Sequence, residues 1–353
     1  METLFIRTDA SAEIGTGHLM RTIALGQAWQ DGGGHVVFLC SEITTALQQR
    51  LTQEGFGHHA IQACPGTEED LAATRELLRH LADNGEWVVI DGYHFSGEFQ
   101  RGLKTAGFRV LAMDDYGHAD FYHADLVLNQ NISAHEDLYR NRSPETRLLL
   151  GCEFLLLRRE FLKYRGWSRA LPDVARKILV SLGGADLQNV TRRVIGAISA
   201  LQAHVKVVVG GSNPHLANLS EFVEESGPAG ARIELVVDPV DMPGLMAWAD
   251  LAVAAGGSTS YEMACMGLPC ISIIVAENQV PVALGLTSRG ASLCVGWDKD
   301  NSTDNYTEAV TSLMHDRHRL SDMSRSARSL VDFEGASRVL SEIRRGAAFA
   351  SCA

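Results

Sequence analysis

What this chain lacks narrows its function first. None of its apolar runs reaches the length of a membrane span, so bilayer insertion is not expected of its 353 residues. The opening Met1-Glu-Thr-Leu-Phe-Ile-Arg-Thr-Asp enters strand-like sequence directly, with no basic segment ahead of a long apolar stretch, so an export leader is not expected either. A basic surplus is missing too. Lys and Arg number 31 against 43 Asp and Glu, a formal charge of -12, whereas a nucleic-acid partner calls for a cationic face. One bound nucleotide survives that argument, because backbone N–H groups and helix N-termini hold a pyrophosphate without altering net charge. The seven cysteines (Cys40, Cys64, Cys152, Cys265, Cys270, Cys294, Cys352) are odd in number and scattered, with no Cys-x-x-Cys pair to suggest zinc. A reducing cytoplasm is the expected location, and Cys265 and Cys270, either side of Gly267-Leu268-Pro269, read as small core residues. Low-complexity segments are also absent.

What is present has the rhythm of an α/β protein. Short β-rich runs alternate with longer amphipathic segments: Leu4 to Arg7, Val36 to Cys40, Trp87 to Ile90, Val110 to Met113 and Leu126 to Leu128. The rhythm restarts with Ile178 to Leu182, Val205 to Val209, Ile233 to Val237, Leu251 to Ala254, Ile271 to Val275 and Leu293 to Val295. Between the series lies Arg165-Gly-Trp-Ser-Arg-Ala-Leu-Pro-Asp-Val-Ala-Arg-Lys177, polar and broken by Gly166 and Pro172. The expected organisation is therefore a Rossmann-like domain over 1–165, a linker over 166–177, a second Rossmann-like domain over 178–330, and a helix and tail over 331–353. An inter-domain cleft is expected to receive the ligand, since open α/β sheets bind at the C-terminal ends of their strands.

Three glycine loops follow strands and precede helices. In the first, Gly15 and Gly17 lead into a helical run that begins near His18, and their backbone freedom lets N–H groups face an anion. The competing reading is a plain turn followed by a capping or surface histidine. Asp9, just past the strand, either orients His18 or caps the turn. The second loop carries Gly183 and Gly184. The third, Gly256-Gly-Ser-Thr-Ser260 with Glu262 one turn on, clusters the hydroxyls of Ser258, Thr259 and Ser260 at a helix start. Those groups suit a diphosphate, and Glu262 suits ribose hydroxyls; the alternative is that Ser258 caps the helix and Glu262 complements its dipole.

The string Gly256-Gly-Ser-Thr-Ser-Tyr-Glu-Met-Ala-Cys-Met-Gly-Leu-Pro269 resembles the nucleotide loop of GT-B enzymes such as the N-acetylglucosaminyl transferase of lipid II synthesis. In that family the glutamate matching Glu262 binds ribose. Taken with Arg7-Thr-Asp-Ala-Ser11, Ile14-Gly-Thr-Gly-His18, Leu179-Val-Ser-Leu-Gly-Gly-Ala-Asp186, Ala276-Glu-Asn-Gln279, Met113-Asp-Asp115 and Leu126-Val-Leu-Asn-Gln-Asn131, the chain more closely resembles the UDP-diacetamido-trideoxy-altropyranose hydrolases of pseudaminic acid biosynthesis. The resemblance implies a GT-B fold and a hydrolysis that needs no metal and no cofactor. Water attacks the anomeric carbon and UDP leaves, with His18 matching the family's catalytic histidine. An imidazole can take a proton from water at physiological pH, and a diphosphate leaves as a stabilised anion, so a second carboxylic acid is unnecessary. Gly15, Gly17, Gly183, Gly184, Gly256, Gly257, Ser258, Thr259, Ser260 and Glu262 are the expected UDP contacts. Asn278 and Gln279, at a strand end or capping the next helix, and Tyr93, beside His94, are the expected sugar contacts.

Rival readings remain at this stage. Asp114, Asp115, His118, Asp120, His123 and Asp125 are dense in ligand-capable groups, but they also suit a strand end and polar loop, and no metal is expected. His58-His59 reads as loop surface. A GT-B glycosyltransferase would use the same nucleotide cradle; an epimerase would need an acid and a base; a non-catalytic sugar-nucleotide-binding protein would be indifferent to loss of His18. The expected partner is a UDP-sugar alone, with no nucleic acid and no membrane, and the sequence sets no oligomeric state.

Overall fold

The computed structural model describes every residue except 1, 12, 13, 84, 185, 212, 226–229 and 351–353, with the side chains of 346–350 also left aside. The chain forms two compact units, Met1–Arg159 with Phe333–Ala353, and Glu160–Asp332.

In the first unit, β1 (Thr3–Thr8), α1 (Gly17–Asp31), β2 (His35–Cys40), α2 (Thr45–Gln53), β3 (Gly57–Ala60), α3 (Glu68–Leu81), β4 (Trp87–Asp91), α4 (Gly97–Thr105), β5 (Arg109–Met113), β6 (Leu126–Asn129) and β7 (Arg147–Leu150) follow in order. The strands form one parallel sheet, β3-β2-β1-β4-β5-β6-β7. Alternate residues point to opposite faces, so each strand feeds two cores. Leu4, Ile6, Val89 and Leu111 pack with Ile23 and Leu25 of α1, while Phe5, Val88, Ile90 and Val110 pack with Leu78 of α3 and Phe99 and Leu103 of α4. Burial on both faces is why the central strands read as continuous apolar runs. Thr67 and Ser96 start α3 and α4, each hydroxyl accepting the N–H of the third residue on, Asp70 and Phe99.

The second unit comprises β8 (Lys177–Ser181), α5 (Val190–Ile198), β9 (His204–Val209), α6 (Leu216–Glu225), β10 (Arg232–Val237), α7 (Met242–Trp248), β11 (Leu251–Ala255), α8 (Thr259–Cys265), β12 (Cys270–Ile274), α9 (Val280–Ser288), β13 (Ser292–Trp297), α10 (Thr303–Met314) and α11 (Arg317–Leu330). Its sheet, again parallel, runs β10-β9-β8-β11-β12-β13. Ile178, Val180, Val205 and Val207 pack with Val194 and Ile198 of α5 and with Tyr306, Val310, Leu320 and Met323 of α10 and α11. Arg169 is half-buried among backbone carbonyls: it donates to Met246 and Ala249 at the end of α7 and to Met266 and Gly267 at the end of α8. Among the described residues no carboxylate bonds it, and desolvation holds its guanidinium down at about 10.

The last helix, α12 (Gly335–Ala350), rejoins the first unit, where Val339, Leu340 and Ile343 enter the core shared with α1. Both sheets have the Rossmann order, in which the strand sequence reverses direction beside the first strand. The reversal falls between β1 and β4 in one unit and between β8 and β11 in the other. All eleven expected strand segments are present. β3 and β7 were not expected, and His58 and His59 lie on the edge strand β3 instead of in a loop.

Candidate functional site

At the reversal point of the first sheet, Thr8 of β1 lies opposite Asp91, the last residue of β4. The loop leaving β1 reaches α1 through Gly15, whose φ of 81° favours glycine. His18 therefore stands in the first turn of α1, nearly buried, with Nδ1 2.7 Å from Asp91 Oδ1. Arg21, one turn further, grips the same carboxylate with both Nε and Nη2 at 2.7 Å and reaches Asp115 with Nη1 at 2.6 Å. Asp115 also accepts from Tyr93 Oη at 2.7 Å and from Asn131 Nδ2 at 2.7 Å. Burial pushes the Asp91 carboxyl up, but the charges of Arg21 and His18 and their hydrogen bonds outweigh it and hold Asp91 below the usual carboxylate range. Asp115 is depressed likewise, burial being overcome chiefly by Arg21.

An ionised Asp91 fixes the imidazole tautomer. Nδ1 must carry the proton facing the carboxylate, so the 3.1 Å approach of Arg21 Nη2 to Nδ1 is a crowding of two donors and not a bond. This tautomer leaves the Nε2 lone pair to accept a proton. The arrangement is that of an imidazole oriented by a buried carboxylate, itself held in a bidentate guanidinium fork, a geometry able to serve proton transfer.

Asp9, expected either to orient His18 or to cap its turn, is bonded elsewhere. Its oxygens accept from Arg7 Nη1 at 2.7 Å and from the N–H groups of Ser41 and Glu42 at 2.7 and 2.9 Å, and His94 Nε2 lies 3.1 Å away. Against the upward push of burial, His94, Arg7 and Glu42 hold Asp9 at about 2. The physical reason is geometric: Asp9 turns toward the start of the loop after β2, where two unpaired N–H groups need an acceptor. Asp91, which sequence reasoning missed, takes the place beside His18.

In the ligand-dense segment after β5, Asp114 and Asp125 are held by protein donors. Asp114 accepts from the N–H groups of Tyr116 and Gly117, both at 2.7 Å, and from the Tyr122 hydroxyl, and lies 2.9 Å from His118 Nδ1. Asp125 accepts from Val110 N and Lys104 Nζ. Tyr93, expected to face the sugar, gives its hydroxyl proton to Asp115 and sets its ring edge-on to His18, centroids 4.8 Å apart.

In the second unit, β8 and β11 are neighbours, so their glycine loops start side by side. They differ at the helix starts. Asp186 folds back onto α5, accepting from Val190 N and Thr191 N at 2.9 Å each, so that helix end already carries its own carboxylate. Gly183 keeps a φ of 97° and open space where a Cβ would stand; Ala185, next to Gly184, lies outside the described residues, as do Ala12 and Glu13 of the first loop. The loop after β11 is the open one. Ser258 makes no capping bond with its side chain and is exposed, and the N–H groups of Gly257, Ser258 and Thr259 have no acceptor among the described residues. A Cβ on Gly257 would meet nothing within 4 Å, whereas one on Gly256 would meet Ala283 Cβ at 3.0 Å and Gln279 O at 3.2 Å. Ser260 is buried and donates to Ala255 O at 3.0 Å, which ties its hydroxyl to the strand end. Glu262 is half-buried in the first turn of α8. Gln279 spends its side-chain oxygen on Val275 N at 3.0 Å, while Asn278 is exposed.

No protein-family model matches the sequence. The chain is similar to the spore coat polysaccharide biosynthesis protein SpsG of Bacillus subtilis (strain 168), 28% identical over 330 residues that span 88% of this chain and 94% of that protein. It is also similar to the UDP-2,4-diacetamido-2,4,6-trideoxy-beta-L-altropyranose hydrolase of Campylobacter jejuni subsp. jejuni serotype O:2, 23% identical over 293 residues, 82% of this chain and 97% of that one. Among solved structures, the MurG of Acinetobacter baumannii matches with a TM-score of 0.69 at 17% identity, covering 98% of this chain and 100% of that chain. At that identity the likeness is one of fold, and the fold class is GT-B-like, with two Rossmann-like α/β units.

Proposed function

We propose that this protein hydrolyses a UDP-linked diacetamido-trideoxy-hexose, UDP-2,4-diacetamido-2,4,6-trideoxy-beta-L-altropyranose or a close relative, to UDP and the free sugar. The Campylobacter relative, aligned over nearly its whole length, supports an enzyme acting on a UDP-sugar. The observation that carries the chemistry is the His18–Asp91 pair at 2.7 Å. Nε2 of His18 takes a proton from water as its oxygen attacks the anomeric carbon; the bond from that carbon to the β-phosphate oxygen breaks, and its electron pair leaves with UDP. Asp91 stays ionised and stabilises the imidazolium. In the second unit, the N–H groups of Gly257, Ser258 and Thr259 and the neighbouring hydroxyls receive the diphosphate charge, Gly183 leaves room for it, and Glu262 accepts from the ribose. No step calls for a metal or cofactor, and we place the reaction in the cytoplasm, where thiols such as Cys265 and Cys270, pushed up to about 12 by burial, remain inert core groups.

The likeness of fold to MurG favours a second reading, transfer of the sugar to a carbohydrate acceptor from the same UDP-sugar donor. Turnover in H₂¹⁸O separates the two. Label in the free sugar and none in UDP supports water attack at the anomeric carbon. Turnover that waits for an added acceptor supports transfer.

A further inference from the structure

Tyr116 belongs to an aromatic group that reaches His18 through Tyr93. It is 47% exposed, while its backbone is fixed: its N–H donates to Asp114 Oδ1 at 2.7 Å, and Gly117 follows with a φ of 78° and a would-be Cβ only 2.7 Å from Leu138 O. Its ring leans on Tyr93 with centroids 5.1 Å apart, and Tyr93 in turn stands edge-on to His18 at 4.8 Å. His118, 6.1 Å from Tyr116 and 5.9 Å from Tyr93, completes an aromatic group that backs Tyr116 from within. Tyr93 and His118 are half-buried and Tyr93 has its hydroxyl proton committed to Asp115, so Tyr116 is the most exposed ring of this group. A half-exposed ring with a fixed backbone, one aromatic side chain away from a proton acceptor, suits a ligand with one apolar face and no charge at that point. A pyranose has such a face, and a 6-deoxy sugar enlarges it with a methyl group.

We propose that Tyr116 is a specificity-determining residue that stacks on the apolar face of the sugar of the sugar nucleotide, and so reads the sugar and not the UDP. The inference rests on the hydrolase reading, because it assumes that the anomeric carbon comes to His18. Burial and the charges of Asp114 and Asp115 raise the Tyr116 phenol above its ordinary value, so it meets the sugar as a neutral group.

The test compares wild type, Tyr116→Phe and Tyr116→Ala in calorimetric titrations with UDP and with UDP-2,4-diacetamido-2,4,6-trideoxy-beta-L-altropyranose, each in a His18→Ala background that prevents turnover, while UDP release is assayed with His18 in place. The expected result is UDP affinity unchanged in all three, UDP-sugar affinity unchanged in Tyr116→Phe, and UDP-sugar affinity about 5- to 10-fold weaker in Tyr116→Ala. Unchanged UDP-sugar affinity in Tyr116→Ala, or an equal loss for UDP, overturns the proposal. Absence of UDP release with His18 in place, alongside intact UDP-sugar binding, overturns the hydrolase reading instead and leaves the titrations to decide Tyr116.

Discussion

At the scale of single residues, the account turns on one carboxylate. Asp91→Asn keeps the shape of the His18 contact but allows the wrong tautomer, so kcat for UDP release is expected to fall by about 10²- to 10⁴-fold with UDP affinity unchanged. An unaltered kcat would show that His18 works without Asp91. Asp9 has a different consequence. Its folded value of about 2 lies below the ordinary 3.8, so its contribution, about 2 kcal/mol, is fully present above pH 3.8 and is lost as the pH falls through about 2. Urea unfolding across pH 2–5 should show that loss, and Asp9→Asn should flatten it. The difference between these two aspartates was beyond the reach of the sequence. Asp9 is near His18 along the chain, whereas Asp91 is 73 residues away and meets it only because β4 pairs with β1. The placement of Gly15 in a turn and of His18 at a helix start was legible because a strand, a glycine turn and a helix start are local patterns.

At the scale of elements, the loop between β11 and α8 makes a paired prediction. Gly257→Ala has room for its methyl group and should fold with wild-type stability, while UDP affinity drops about tenfold because the methyl occupies the approach to the free N–H groups. Gly256→Ala meets Ala283 and Gln279 and should lower the melting temperature before it touches binding. Wild-type UDP affinity in a folded Gly257→Ala would remove this loop from the nucleotide site. Arg169 is the other element-scale device, since one guanidinium satisfies the ends of both α7 and α8. Arg169→Ala strands those buried carbonyls and should cost about 2 to 3 kcal/mol in denaturant unfolding of the second unit. The buried strands were readable as apolar runs. β3, with the sequence Gly57-His-His-Ala60, lacks that signal and is held at the sheet edge by pairing with β2, while β7 carries the short run Leu148-Leu-Leu150 but, at the other edge, buries only part of it and is held by pairing with β6.

At the scale of the whole molecule, two Rossmann-like units each place their loops at a strand-order reversal, and the proposed chemistry divides between them: proton transfer in the first unit and nucleotide binding in the second. UDP alone should therefore slow amide exchange most at Gly257, Ser258 and Thr259; protection confined to the His18 loop would reverse the division. The fold was legible because the sequence repeats one α/β rhythm twice, while the identity of the attacking group was not, since a hydrolase and a transferase share the same nucleotide cradle. The central claim is tested most directly by proton NMR of UDP-2,4-diacetamido-2,4,6-trideoxy-beta-L-altropyranose with purified protein, without added metal or acceptor, beside His18→Ala. The account predicts UDP and free sugar in equal amounts from the wild type and no release from the variant, with UDP binding retained in both. A substrate that persists unchanged with the wild type, although UDP still binds, would contradict it.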